Sequence, residues 1–192
     1  MPLSSFLRYI PASAVALAAA PILFSDATAA PTRAPDVKAC EVVFTPEDSG
    51  FKVIRGLLEK ATKSVYVSAY HFKSQYVADM LIDAARRDVK VAVVLDANNL
   101  DSKKHQAGYA DRNGIQVYVD DRHHSHHSKY MIIDGRYVQT GSFNYNDHAE
   151  YDNSENLLVI ESRTLAAAYV ADWEKHRAHA VPYRSLMNKR ED

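Results

Sequence analysis

Residues suited to phosphate chemistry are concentrated in the second half of the chain. His127-Ser128-Lys129 sets an imidazole and an ammonium two positions apart. In an extended segment that spacing projects both side chains from one face. An imidazole beside a cation suits a phosphodiester, because Lys129 neutralises the anion while His127 attacks phosphorus. Ser142 and Asn144 repeat the period of two and present a hydroxyl and an amide to phosphate oxygens. Glu155 follows, a carboxylate able to accept a proton from one imidazole nitrogen and so fix the tautomer that leaves the other free. Asp134 has two readings: it orients Lys129 electrostatically, or it serves the Asp134-Gly135 turn. A supporting structural role is the preferred one. Gly141 reads as backbone clearance.

Other candidates surround this set. His123, His124 and His126 precede His127, and neighbouring histidines bind zinc or copper in some His-rich tracts. Neither a cysteine nor a firmly spaced carboxylate completes a fixed tetrahedral set, so the expectation is a solvated loop at the mouth of the site, with no metal and no cofactor. His71, Lys73, Lys103, Lys104 and Arg122 are candidates for a groove that takes a polyanion, against the default of scattered surface charge. Tyr66, Tyr70, Tyr118, Tyr130 and Tyr137 fall in strand-like runs and read as core rather than as base-stacking platforms.

The elements that must position these residues follow from periodicity. Strands are expected at Glu41–Thr45, Ser64–Tyr70, Val89–Leu95, Ile115–Val119, Ser128–Ile133, Arg136–Thr140 and Leu157–Ile160. Helices are expected at Phe51–Lys63, Ser74–Asp88, around Ser102–Arg112, and at Thr164–Ala180. Asp120–His126 reads as a polar loop, and Asp134-Gly135 as a hairpin turn. Alternating strands and helices imply an α/β fold, a mixed and largely buried β-sheet layered between helices. No internal repeat is visible.

Composition agrees with an ordinary buried core, at 47% hydrophobic and 24% charged residues. The formal charge of −1 means that any polyanion is met by a local patch rather than by a global field. The first 29 residues have the pattern of a secretory signal peptide: Arg8, apolar stretches Ala14–Ala20 and Ile22–Phe24, and the small-x-small site Ala27-Thr28-Ala29. The apolar run, broken by Pro21, falls short of the roughly 20 residues that span a bilayer. The expectation is therefore one exported domain over residues 30–192, periplasmic or secreted, without stable membrane insertion. Cys40 is the lone cysteine; it can cross-link two copies or stand unpaired at the start of a strand, and the second is preferred.

The string H-x-K-x4-D-x6-G-S-x-N, complete from His127 to Asn144, resembles the signature of the phospholipase D superfamily, the HKD motif. Ser154-Glu155-Asn156 resembles the acidic segment that follows it in that family's small bacterial endonucleases. Val65–Asn98 is similar to the strand–helix–strand that precedes the motif. Tyr70-His71-Phe72-Lys73-Ser74 stands where members often have Tyr-Ser-Phe-Thr-Ser, so His71 and Lys73 are departures that alter the charge at the lip.

The family builds one site from two motifs, and this chain has one. The resemblance therefore implies a homodimer in which two copies of His127, Lys129 and Asn144 meet at a twofold axis. It implies a nucleophilic His127, a second His127 as general acid, a phosphohistidine intermediate and no metal requirement. The expected activity is endonucleolytic hydrolysis of DNA, with RNA as a further substrate. The alternatives are a phospholipase D-type or small-molecule phosphodiesterase, and a non-enzymatic His-rich metal- or nucleic-acid-binding protein.

Overall fold

The computed structural model describes residues 32–100 and 104–191. The leader expected at 1–29 and Lys103 lie outside the described residues. One eight-stranded sheet organises the rest. Its strands in chain order are β1 (Ala39–Thr45), β2 (Ser64–Ala69), β3 (Lys90–Asp96), β4 (Gln116–Asp120), β5 (Lys129–Ile133), β6 (Tyr137–Gly141), β7 (Glu155–Glu161) and β8 (Val181–Pro182). Across the sheet they run β1-β7-β6-β5-β2-β3-β4-β8. The β2, β3 and β4 strands are parallel neighbours, as the strand–helix–strand pattern requires, and β5 joins β2 antiparallel, which makes the sheet mixed.

Alternation along each strand sends side chains to two separate cores. Val65, Val67 and Ala69 of β2, with Val91, Val93 and Leu95 of β3, face one side. There they pack against α1 (Gly50–Glu59), α2 (Gln75–Ala85) and α3 (Ala107–Arg112) through residues such as Ile54, Leu58, Val77, Leu81 and Ala110. Ala92, Val94, Tyr130, Ile132 and Val138 face the other side, where α5 (Arg163–His179) lays Ala166 and Trp173 on them. The Trp173 indole donates to the Val67 carbonyl at 2.8 Å, so the largest side chain of α5 is fixed to the centre of the sheet. Helix starts are set by serines as expected of N-caps: Ser49, Ser74 and Ser162 each accept from a backbone N–H three residues on.

Several expected boundaries move. The first helix ends at Glu59 rather than Lys63, because Thr62, Lys63 and Ser64 turn their N–H groups to the Asp134 carboxylate. The helix expected around Ser102–Arg112 is, among the described residues, only Ala107–Arg112. Three short elements carried too few residues for a periodic signal: α4 (Asp147–Tyr151), capped by Asn146, then β8, then α6 (Tyr183–Glu191). No helix among the described residues is long and apolar enough to cross a membrane.

Candidate active site

The two residues of the central pair meet at the start of β5. His127 is exposed in the segment before the strand, and Lys129, its first residue, is buried. Lys129 Nζ lies 2.9 Å from His127 Nδ1 and donates to the His127 carbonyl at 2.6 Å. Burial pushes the Lys129 ammonium down from its ordinary value, and the Glu155 carboxylate pulls it partly back. Ala69 pairs with Lys129 across β2 and β5, which carries the next residue, Tyr70, to His127. The two rings are 4.2 Å apart, and Lys129 Nζ sits 5.0 Å from the Tyr70 ring centre. Tyr70, expected in the core, is therefore a wall of the site.

An open cleft of about 660 Å³ spreads from this pair over β5, β6 and the start of β7, with Tyr169 and Asp172 of α5 on its far side. Ser142, Asn144 and Glu155 line it as expected. The Asn144 amide oxygen is buried without a hydrogen bond, the kind of group that a bound partner satisfies. Glu155 stands elsewhere than expected with respect to His127. One of its oxygens accepts from Asn153 Nδ2 at 2.9 Å and the other from the Ser142 hydroxyl, so within one chain it orders Ser142 rather than the imidazole. Ser142 in turn accepts from Asn156 N at 3.0 Å. Gly141 has φ of +147°, and a Cβ there would come 2.2 Å from the Asn156 carbonyl, so only glycine lets β6 pass β7 at this point.

The remaining candidates separate. Asp134 is at the opposite end of β5, in a turn where it and Gly135 both have positive φ. Its carboxylate accepts from the N–H groups of Thr62, Lys63 and Ser64 and from the Thr62 hydroxyl, so it ties the hairpin to the start of β2. It makes none of these bonds to Lys129. His71 stacks on Tyr70 at 4.4 Å, and burial followed by the Lys73 charge pushes its imidazole below the ordinary value. Segment 71–74 is stitched to Tyr145 by three backbone bonds, which places His71 and Lys73 on the rim beside Asn144. Arg122 and Lys104 are exposed and do not line the cleft.

The histidine run is not uniformly solvated. His126 is 2% exposed, with its N–H on Asp96 Oδ2 at 2.6 Å and its Nε2 2.6 Å from Ser68 Oγ. Burial, then the nearby His176, pushes its imidazole down to about 4. The sequence misplaced it because both anchoring residues come from strands far away in the chain.

Comparison with known proteins agrees with this geometry. The family described as cardiolipin synthase, PLD-like domain, matches residues 54–177. A protein of Rickettsia felis named phospholipase D is 36% identical over 135 residues, 70% of this chain and 68% of that protein. A mitochondrial cardiolipin hydrolase of Xenopus laevis is 30% identical over 72% of this chain and 66% of its own length. Among solved structures, the phospholipase D family member Nuc from Salmonella typhimurium superposes with a TM-score of 0.73 at 29% identity, over 76% of this chain and 97% of that one. NucT from Helicobacter pylori shares the fold at a TM-score of 0.69 and 20% identity, over 76% of this chain and 99% of its own. Signature, cleft and relatives converge: the chain belongs to the phospholipase D superfamily and is a phosphodiesterase of that family.

Proposed function

We propose that this protein is an exported, metal-independent endonuclease that hydrolyses DNA, and also RNA, at a site shared by two copies of the chain. The carrying observation is the His127–Lys129 pair opening on a shallow polar cleft. When Lys129 Nζ turns from the ring nitrogen to a phosphate oxygen, it frees that nitrogen's lone pair for attack. His127 attacks phosphorus and forms a P–N bond as the P–O bond to the leaving group breaks. His127 of a second copy gives its proton to the departing oxygen. That same imidazole then takes a proton from water, whose oxygen attacks phosphorus and breaks the P–N bond. Each Lys129 charge, about 4 Å from a phosphate oxygen, contributes roughly 4 kcal/mol of Coulomb energy at an effective dielectric near 20, before desolvation.

A second copy is favoured by the sheet itself. Tyr130, Thr140, Leu158 and Val42 lie in register across β5, β6, β7 and β1, so the cleft floor continues into an apolar surface at the sheet edge. Val42 is 48% exposed there and Phe44 56%. Large apolar side chains so placed suit a self-complementary contact. Export rests on the leader pattern of residues 1–29.

A second reading is favoured by the relatives named phospholipase D and cardiolipin hydrolase: a phosphodiester carried on a lipid. Among the described residues the cleft itself is lined by two tyrosines and otherwise mainly by polar and charged side chains, which favours the nucleic acid. Incubation of the purified protein with plasmid DNA, RNA and phosphatidylcholine vesicles, each with EDTA, separates the two. Endonucleolytic nicking of DNA is expected; release of choline without nicking would replace this reading with the lipid one.

A further inference from the structure

Behind the cleft, four side chains converge on one point. Asp120 ends β4 and is fully buried; His123 follows in the loop; His176 and His179 come from the last turn of α5. Their ligand atoms all lie within 4.8 Å of one another. We propose that Asp120, His123, His176 and His179 form a zinc-type metal site that fastens the loop leading to His127 onto α5. The site is separate from the phosphodiester chemistry and does not depend on the substrate proposed above.

Hydrogen bonding alone does not explain the cluster. Asp120 Oδ2 has His123 Nδ1 at 3.0 Å, His176 Nδ1 at 2.9 Å, His179 Nε2 at 3.1 Å and His126 Nδ1 at 3.3 Å. One carboxylate oxygen has two lone pairs for these four nitrogens. His179 Nε2 is buried and, despite its distance, makes no hydrogen bond of acceptable geometry. Protonating the imidazoles would crowd cations around a single negative charge. A divalent ion removes the conflict by accepting electron pairs from three neutral imidazoles and one carboxylate. Tetrahedral bonds of about 2.0–2.1 Å place donor atoms about 3.3 Å apart, close to the 2.9–3.1 Å from Asp120 Oδ2 to the three nitrogens. Three nitrogens and one oxygen suit zinc, cobalt, nickel or copper, and not magnesium or calcium.

The surroundings fit the same role. His176 presents Nδ1 to the cluster, while its Nε2 faces the Asp172 carboxylate at 3.8 Å, beyond hydrogen-bond length but near enough for its charge to act on the ring. Asp172 also accepts from the Tyr130 hydroxyl at 2.9 Å and lines the cleft. The His123 side chain is 47% exposed, which leaves an ion a path inward.

The test uses tag-free protein stripped with EDTA, returned to chelator-free buffer and titrated calorimetrically with zinc chloride, and in parallel with cobalt followed by visible absorption. One equivalent per chain is expected, with the intense visible bands of four-coordinate cobalt and a raised Tm with zinc. His123→Ala, in an exposed loop, should weaken zinc more than about tenfold. His176→Gln with His179→Gln should abolish stoichiometric binding, with circular dichroism reporting the fold. His127→Asn should leave binding unchanged, since that residue is in the cleft. Absence of saturable binding at micromolar zinc, its survival in both ligand variants, or its loss in His127→Asn would each overturn the proposal.

Discussion

Lys129 Nζ is held between the His127 ring at 2.9 Å and the His127 carbonyl at 2.6 Å, so the ammonium and the imidazole form one unit. Lys129→Ala removes the charge proposed to meet the phosphate and the donor that holds the ring. The turnover rate should fall about a hundredfold to a thousandfold, the effect of losing a strong anion-stabilising group. Lys129→Arg should not restore it, because a longer, planar side chain does not fit a buried, 8% exposed position. Single-turnover cleavage of a defined oligonucleotide measures both.

Glu155→Gln should cost less, about tenfold. Its carboxylate orders Ser142 and Asn153, and an amide retains one acceptor for them. The change should appear more in KM than in kcat, because on the proposed mechanism it loosens phosphate binding by Ser142 and leaves His127 in place. A loss as large as that of Lys129→Ala would instead place Glu155 in direct partnership with an imidazole of the assembled site.

Asp134 makes a prediction about stability alone. Burial would raise its carboxyl, but the bonds from Ser64, Lys63 and Thr62 outweigh this and hold it below the ordinary value. A depressed folded-state value means that the stabilisation is present above the unfolded value near pH 4 and is lost as pH falls through the folded one. Asp134→Ala should therefore lower stability by about 2 kcal/mol at pH 7, with the difference from the original protein shrinking below pH 4. Urea unfolding at both pH values checks this, and activity per folded molecule should be unchanged.

The site was legible in the sequence wherever its residues are local. His127, Lys129, Ser142 and Asn144 lie at or beside strand ends, where a period of two fixes their direction, and the hairpin that joins them was marked by Asp134-Gly135. The sheet was legible for the same reason, since buried parallel strands read as apolar runs. What was hidden depends on long-range register. Tyr70 became a site wall only because Ala69 pairs with Lys129, and His126 became buried through Asp96 and Ser68. The carboxylate missing from the histidine run was Asp120, and its other partners waited on α5, where His176 and His179 recur three apart on one helical face. Such a spacing at a helix end was the one signal that sequence offered, and basic residues there are also explained by the helix dipole.

The proposed sharing of one site by two chains is tested most directly by mixing them. The protein and its His127→Ala variant, one of them tagged, are unfolded together at equal amounts and refolded so that pairing is random. About one quarter of the dimers are then fully native and about half are mixed. A mixed dimer has one imidazole where the proposed reaction needs a nucleophile and an acid, so DNA cleavage should fall to about one quarter of that of an equal mass of native protein, and isolated mixed dimers should be nearly inactive. Activity of about one half, with mixed dimers half active, or a stable active monomer in sedimentation, would contradict a site built from His127 of two chains.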